Sequence, residues 1–214
     1  MEIEASLTLV QGLGSKPAYH SNELFELAGS KATAYRIIDR LLELGWAERL
    51  NRGYFAVRSS IFQPYWIWPH LVPSLQSLKQ ARYFGRAYGE SDVVYAQRMI
   101  PGVLTLDYRA YDLTQFQTPH TCYLYVDDVN HTARLLRENH FSEGKAGRVA
   151  IMPRSGSFDD EIQRVYLDCV AAGGRSTLDA IAIELLYGNR LTIRGEFRAD
   201  VVAKVKEDLP IGTR

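Results

Sequence analysis

Basic and hydroxyl-bearing side chains are concentrated in one short segment near the amino terminus. Residues 30–58 carry six basic and three acidic side chains, although the formal net charge of the whole chain is zero. Arginine pairs with guanine edges, threonine contacts the thymine methyl group, and both also bind phosphate. The segment therefore carries the side-chain chemistry needed to read double-stranded DNA.

Eight residues of this segment are our candidates for DNA contact. They are Ser30, Lys31, Thr33, Tyr35, Arg36, Arg40, Arg49 and Arg52. Arg36 is the first choice for base reading, because it lies near the start of a predicted helix whose apolar residues face the other way. Free backbone amides near Ser30 and Lys31 suit a phosphate. Arg49 and Arg52 are expected to contact the DNA backbone or the minor groove.

Three predicted helices would position these residues. Apolar residues at helical spacing predict a helix over residues 3–13 and a second helix that Ser21 caps, that has Phe25 on its apolar face and that ends at Gly29. Ser30 caps a third predicted helix, which runs to about residue 44 and is closed by Gly45. Its apolar stripe consists of Ala34, Ile37, Ile38, Leu41 and Leu42. The turn between the second and third helices has only three residues and contains glycine, which is typical of a helix-turn-helix.

A hairpin is predicted directly after the third helix. Residues 46–50 and 54–57 favour strands, and residues 51–53, which end in glycine, favour a tight turn between them. A hairpin in this position is a wing. Residues 1–60 are therefore predicted to form a winged helix-turn-helix domain that binds DNA.

The rest of the chain is predicted to form a larger α+β domain over residues 76–214. Residues 61–75 are interpreted as an aromatic and proline-rich linker, because the three prolines within this stretch exclude a regular central helix or strand. The predicted fold class is therefore α+β, with an amino-terminal winged helix-turn-helix domain and a larger carboxy-terminal domain that serves partner binding or oligomerisation.

The predicted elements of the larger domain begin with a helix from Pro73 or Ser74 to about Tyr88. β-like segments are expected at residues 93–95, 103–108 and 121–126, and a strand–helix–strand unit continues to residue 152. Further helices are expected over residues 158–172, from Ser176 as cap to Gly188, and over residues 197–209.

The acidic and histidine side chains do not favour catalysis. Glu143 and Lys145 have the spacing of half a metal-dependent nuclease site, with Asp127 or Asp128 as the further acid, but they lie in a predicted turn and not on a strand. Asp159, Asp160 and Glu161 lie in a first helical turn, where acids favour the helix dipole. His120, His131 and His140 lack the spacing of metal ligands. We expect no enzyme activity, catalytic residue, metal or cofactor, and a nuclease stays only as an alternative.

Composition narrows the class of protein. Zero net charge argues against a protein that coats nucleic acid without sequence preference. Cys122 and Cys169 lie far apart in apolar surroundings and are expected to be buried free thiols. No apolar run reaches the length of a membrane span, and the first residues are acidic where a secretory signal is basic. We expect a cytoplasmic protein without a membrane partner.

The segment from Val165 to Ala182 resembles a stretch of the AbiEi-type antitoxins of type IV toxin-antitoxin systems. The matching positions are Tyr166, Asp168, Gly173, Gly174, Arg175 and Ala180. The resemblance implies a prokaryotic transcriptional repressor that binds repeats upstream of its own operon. It also implies a nucleotidyltransferase-like toxin encoded beside it, no catalytic residues, and DNA contacts in the winged helix.

The sequence thus predicts a sequence-specific regulator that binds double-stranded DNA. A homodimer is compatible with this function, because operator sites are usually repeated. The alternative is a protein-interaction module that uses its winged helix, since Tyr65-Trp66-Ile67-Trp68 supplies the aromatic side chains that anchor interfaces.

Overall fold

Helices of eight to fourteen residues alternate with short strands along the chain. A computed structural model describes residues 2–86, 90–144, 146–154 and 160–210. The helices in these ranges are α1 (Glu2–Gln11), α2 (Ser21–Ala28), α3 (Lys31–Leu44), α4 (Trp68–Lys79), α5 (Glu90–Met99), α6 (Leu106–Thr114), α7 (Val129–Glu138), α8 (Glu161–Ala172), α9 (Ser176–Tyr187) and α10 (Ala199–Asp208).

The strands form two sheets, so the fold is mixed α+β as predicted. They are β1 (Tyr19–His20), β2 (Ala47–Asn51), β3 (Tyr54–Val57), β4 (Arg82–Gly85), β5 (Val103–Thr105), β6 (Cys122–Val126), β7 (Ser142–Glu143) and β8 (Val149–Pro153). The first sheet has the order β1-β3-β2, and the second has the order β5-β6-β8-β4-β7.

Helix α3 begins and ends where the sequence predicts. The Ser30 hydroxyl accepts the backbone N–H of Thr33 at 3.1 Å, which satisfies one of the free amides of the first turn. Gly45 ends the helix with φ 83° and donates to carbonyls of the last turn. Both predicted signals of this helix are confirmed.

The start of α2 differs from the prediction in its capping residue. His20, and not Ser21, is the cap: its Nδ1 accepts the backbone N–H of Asn22 at 3.2 Å, while the Glu23 carboxylate accepts from the backbone of His20 at 3.0 Å. This reciprocal arrangement is a capping box in which histidine replaces the usual serine or threonine. Gly29, with φ 71°, makes the turn into α3.

The predicted hairpin is confirmed as β2 and β3, and an unpredicted strand completes its sheet. Strand β1 pairs antiparallel with β3, so that Tyr19 lies opposite Phe55. The two rings stack with centroids 5.6 Å apart, and both are buried. A two-residue strand has no alternating pattern that a sequence could reveal.

The linker predicted over residues 61–75 is wrong in its second half, because α4 begins at Trp68, ahead of the predicted helix start at Pro73 or Ser74. Pro69 occupies the first turn, where a missing N–H costs no helical hydrogen bond. Pro73 lies inside the helix. Leu71 and Leu75 are fully buried, and their packing against the core outweighs the intrinsic penalty of the inner proline.

Two further predictions between residues 80 and 99 are wrong. The helix expected to reach Tyr88 ends at Lys79, and strand β4 follows it. Val93 to Tyr95 lie in α5 and not in a strand. Val93 and Ala96 are both buried and lie three residues apart, which is the spacing of one face of a helix. Burial of this face therefore outweighs the preference of the β-branched valines for a strand.

The second sheet is built around a confirmed strand–helix–strand unit. Strands β6 and β8 run parallel and are connected through α7, whereas β5, β4 and β7 pair antiparallel with their neighbours. One sheet face, with Cys122 and Leu124, packs with α5 and α7. The other face, with Tyr125 and Met152, joins a larger core that includes helices of the amino-terminal part and α8.

The chain after the hairpin is attached to the carboxyl end of α8. The Ser60 hydroxyl donates to the carbonyl of Ala171 at 3.0 Å, and Arg58 Nη1 lies 3.5 Å from the carbonyl of Ala172. The backbone N–H of Gly174 donates to the Ser59 hydroxyl at 3.0 Å. These contacts fix the exit of β3 on the second half of the chain. The domain boundaries at residues 60 and 75 stay a prediction.

The carboxy-terminal helices follow the predicted order with shifted starts. Asp160 caps α8, and the predicted start at residue 158 lies outside the described residues. Arg175 precedes α9 without a side-chain cap bond, so the predicted capping role of Ser176 is wrong. The last helix begins at Ala199 and ends at Asp208.

Both cysteines are buried free thiols, as predicted. Among the residues that the structure describes, no helix combines the length and the apolar character needed to cross a membrane.

Candidate nucleic-acid interface

Helix α3 has one buried face and one exposed face. The buried residues are Ala34, Ile37, Ile38, Leu41 and Leu44. Leu42, which we expected in this stripe, is only half-buried, and Leu44 takes its place. The opposite face is thereby directed to solvent, as a helix that reads DNA requires.

All eight candidate residues lie at the surface of the three helices and the hairpin. Thr33 is half-buried; the exposed ones are Ser30, Lys31, Tyr35, Arg36, Arg40, Arg49 and Arg52.

The first turn of α3 holds Arg36 through a chain of hydroxyl groups. The Ser30 hydroxyl donates to Thr33 Oγ1 at 2.9 Å, and Arg36 Nη2 donates to the same oxygen at 3.3 Å. This exposed hydrogen bond favours one position of the guanidinium group on the surface of α3. Ser30 serves this turn as its cap, so its hydroxyl is already engaged.

An aromatic contact supports the other candidates at the start of α3. The Tyr35 ring packs edge-to-face on Phe25 of α2, with centroids 5.2 Å apart, and Lys31 Nζ lies 5.9 Å from the centre of the Phe25 ring. Phe25 is a positioning residue that we assigned only to the apolar face of α2. Its half-buried state leaves one side of the ring for these contacts.

Two candidate arginines are engaged with acidic residues. Arg40 forms an ion pair with Glu43 at 2.6 Å, and Arg49 of the hairpin lies 3.5 Å from the Asp39 carboxylate of α3. All four side chains are well exposed, so these pairs contribute little to folding. The second pair joins the exposed face of α3 to the hairpin, which makes them one continuous surface.

The hairpin tip carries two apolar side chains that sequence analysis did not select. Leu50 is 52% exposed and Tyr54 is 45% exposed. The Tyr54 ring contacts the His20 ring edge-to-face at 4.8 Å. Alternation of apolar and polar residues in a short hairpin predicts which face points outward. It does not predict whether that face meets solvent or a ligand. These two residues flank the turn that holds Arg52.

The structure gives Glu143 a different setting from the predicted turn. Glu143 lies in the two-residue strand β7, where it pairs with Phe84. Arg82 binds its carboxylate through two hydrogen bonds of 2.7 Å, and Arg137 adds a third. These hydrogen bonds lower the pKa of Glu143 from 4.5 to about 2. Lys145, the other half of the proposed nuclease motif, lies outside the described residues.

The remaining acids of interest have structural partners. Asp128 caps α7 by accepting the backbone N–H of His131 at 2.8 Å, and Asp160 caps α8 by accepting that of Ile162 at 2.7 Å. Glu161 forms an ion pair with Arg109 at 3.0 Å. Asp159 lies outside the described residues. Within the described ranges, no group of three or more His, Cys, Asp or Glu side chains could hold a metal ion.

Two residues of the antitoxin-like segment form buried hydrogen-bond centres on α8. Asp168 accepts hydrogen bonds from Ser74 at 2.6 Å, from Tyr125 at 2.8 Å and from Thr105. Burial raises the pKa of this carboxyl group. The Tyr166 hydroxyl donates to Glu184 at 2.7 Å. Both residues therefore hold elements together and contact no exposed surface.

The rest of that segment forms the turn between α8 and α9. Gly173 and Gly174 both have positive φ, and Arg175 Nε donates to the Gln117 side chain at 3.0 Å. Ala180 is fully buried. Comparison of the chain with protein-family models, with curated proteins and with solved structures finds no significant match.

Proposed function

We propose that this protein is a sequence-specific transcriptional regulator that binds double-stranded DNA through a winged helix-turn-helix. The proposal depends on one observation above all, the contact between Asp39 of α3 and Arg49 of the hairpin. Through this contact the exposed face of α3 and the hairpin lie next to each other and form one surface. A helix with its polar face outward fits the major groove, which is about 12 Å wide.

Arg36 and Thr33 carry the proposed base reading. Arginine can bind guanine O6 and N7 through two hydrogen bonds, and the Thr33 methyl group can contact thymine. Lys31, Tyr35 and Arg40 supply phosphate contacts around them. The hydrogen bond between Arg36 and Thr33 favours recognition, because an ordered guanidinium group loses less conformational entropy on binding.

The hairpin would contact the DNA beside the major groove. Arg49 and Arg52 are placed to bind phosphates or to enter the minor groove. Arg49 must exchange its contact with Asp39 for a phosphate, a small cost because that ion pair is exposed.

The more specific form of the proposal is an antitoxin-like autorepressor that acts upstream of its own operon. The resemblance of the α8–turn–α9 segment to AbiEi-type antitoxins supports it. The neighbouring gene would then encode a nucleotidyltransferase-like toxin, and the protein could bind repeated operator sites as a homodimer. The carboxy-terminal part would serve partner binding or oligomerisation.

A fluorescence anisotropy titration tests the proposal. The full chain is titrated with the DNA upstream of its own gene and with a shuffled duplex of the same length and composition, at two salt concentrations. We expect tighter binding to the upstream duplex by at least about a thousandfold. Equal binding of the two duplexes, or no binding, would overturn the sequence-specific function.

A protein-interaction module is the second candidate function. Tyr65 and Trp66, which are 63% and 50% exposed, favour it, since exposed Tyr and Trp are frequent interface anchors. Ile67 and Trp68 of the same stretch are buried and belong to the core. Under this alternative, Trp66→Ala abolishes partner capture while no duplex is bound. Specific DNA binding that Trp66→Ala leaves unchanged would contradict it as the primary function.

A further inference from the structure

A cleft of about 760 Å³ lies between the hairpin and the second sheet. Residues of β2, the carboxyl end of α4, and strands β4, β6 and β7 line it. Its volume falls within the range of small-molecule sites, about 300–1,000 Å³. No residue of this cleft belongs to the proposed DNA surface.

Two tyrosines form one wall of the cleft. Ala150 of the central strand β8 pairs with Tyr83 of β4 on one side and with Tyr123 of β6 on the other. The two tyrosines therefore lie on the same face of the sheet. Because Ala150 is small, their rings approach each other edge-to-face at 6.2 Å. Burial raises the pKa of Tyr123, with Tyr83 as a lesser cause, and its phenol stays protonated at neutral pH. The wall thus offers aromatic surface and neutral hydroxyl groups.

Arg58 and Lys79 also line the cleft, and their hydrogen-bond partners are neutral carbonyl groups. Arg58 Nε donates to the carbonyl of Gly45 at 3.0 Å, and Lys79 Nζ donates to the carbonyl of Glu43 at 2.9 Å. Among the described residues, neither side chain has a carboxylate within 4.0 Å. Their positive charges are therefore held in place by carbonyl groups but are not neutralised by them.

Two acidic side chains, Glu143 and Glu48, also line the cleft. The Glu143 carboxylate is bound by two arginines, Arg82 and Arg137, that lie outside the lining. Glu48 is the other acid of the lining and is exposed on β2. An anionic group between Arg58 and Lys79 would gain charge-assisted hydrogen bonds from both.

We propose that this cleft binds a small aromatic organic anion. Its ring packs against Tyr83 and Tyr123, and its carboxylate or phosphate group lies between Arg58 and Lys79. Such a ligand contacts the hairpin and the second sheet at once. Binding is a property of the DNA-free protein and does not depend on the proposed DNA function.

Isothermal titration calorimetry with two matched probe pairs tests the proposal. The anions are 2-naphthoate and AMP, and their neutral counterparts are 2-naphthamide and adenosine. We expect at least one anion to bind at millimolar concentration or below, about tenfold more tightly than its neutral counterpart. Absence of binding by both anions, or equal binding of each anion and its counterpart, would overturn the proposal.

Two variants locate the bound anion. Lys79→Gln is expected to weaken binding of the anion about tenfold, whereas Lys204→Gln on the exposed face of α10 leaves it unchanged. Ala81→Trp fills the cleft from its lining and is expected to abolish binding. Circular dichroism and thermal melting confirm that each variant is folded. A folded Ala81→Trp protein that still binds the anion as wild type does would place the anion elsewhere and refute the site.

Discussion

Single side chains of the proposed DNA surface are already held by protein partners. Arg36 is bound to Thr33, Arg40 to Glu43 and Arg49 to Asp39. These contacts are weak because they are exposed, so they bias the positions of the side chains without preventing exchange for DNA. If this surface binds DNA as proposed, the balance between order and exchange of these side chains would set both affinity and sequence preference, and it can be tested one residue at a time.

Arg36→Ala is expected to remove sequence preference more than bulk affinity. Loss of a guanidinium group that reads guanine costs about 1–3 kcal/mol for the preferred duplex and much less for a shuffled one. The ratio of the two dissociation constants measures the effect, with Arg190→Ala, an exposed arginine outside this surface, as the control. An unchanged ratio in Arg36→Ala would exclude α3 as the reading helix.

Asp39→Asn is expected to raise affinity for shuffled DNA severalfold. The change removes a negative charge that would face the phosphates in the proposed complex, and it releases Arg49 from its ion pair. Asp112→Asn is the matched control, because Asp112 is also exposed and pairs with an arginine, but on α6. Anisotropy titration at low salt measures both. If shuffled DNA binds Asp39→Asn no better than wild type, Asp39 does not restrain binding.

Asp179 makes stability depend on pH. It is buried at the start of α9, and its Oδ1 has no hydrogen-bond partner among the described residues. Burial raises its pKa from 3.8 to about 7, with a small further rise from Asp107, whereas the Gln117 side chain and Arg175 oppose the rise. The folded state therefore binds this proton more tightly than the unfolded state does.

Asp179→Asn is therefore expected to stabilise the protein above pH 7. The wild-type contribution is present below pH 3.8 and is lost as pH rises towards 7, a loss on the order of 4 kcal/mol. Asparagine cannot ionise, so the difference in unfolding free energy between the two proteins should grow from pH 5 to pH 7 and then level off. Urea titrations across this range measure it; a constant difference would contradict the raised pKa.

At the scale of elements, local signals were predictable and packing was not. Helix α3 was predicted at both ends because Ser30 and Gly45 act on their own backbone. The part of α4 before Pro73 was missed because tertiary packing outweighs the two prolines, and β1 was missed because two residues show no period. The candidate surface was found from charge, whereas Phe25 and the apolar tip of the hairpin have no distinguishing sequence pattern.

Gly45→Ala tests how α3 is fixed to α4. A Cβ at Gly45 would lie 2.7 Å from the backbone carbonyl oxygen of Leu75, and φ is 83°. Gly14 also has a positive φ, 69°, but a Cβ there meets nothing within 4 Å. We expect Gly14→Ala to cost about 1 kcal/mol and Gly45→Ala at least about 2 kcal/mol more in urea unfolding. Equal losses would mean that the α3–α4 contact tolerates displacement.

At the scale of the whole molecule, charge is balanced overall but not locally. The net charge is zero, while the surface of α3 and the hairpin holds five exposed cationic candidates, Lys31, Arg36, Arg40, Arg49 and Arg52. A neutral protein gains little from long-range attraction to DNA, so in the proposed complex contacts on this surface would have to supply most of the affinity.

The salt dependence of DNA binding follows from this distribution. If each of these cations neutralises one phosphate, the slope of log K against log salt concentration is about −4.5 per protomer, and it is no steeper than this value. Lys204→Gln leaves this slope unchanged, whereas Arg52→Ala reduces it by about one. A slope far steeper than this value would show that basic residues elsewhere also contact DNA.

The attachment of residues 58–60 to the end of α8 has a consequence for how the hairpin moves. Arg58, Ser59 and Ser60 are bound to the last carbonyls of α8 and to the turn that follows it. Because these hydrogen bonds join the base of the hairpin to α8, we expect the hairpin to move together with this helix. A partner that binds the second half of the chain and shifts α8 would then also shift the tip of the hairpin.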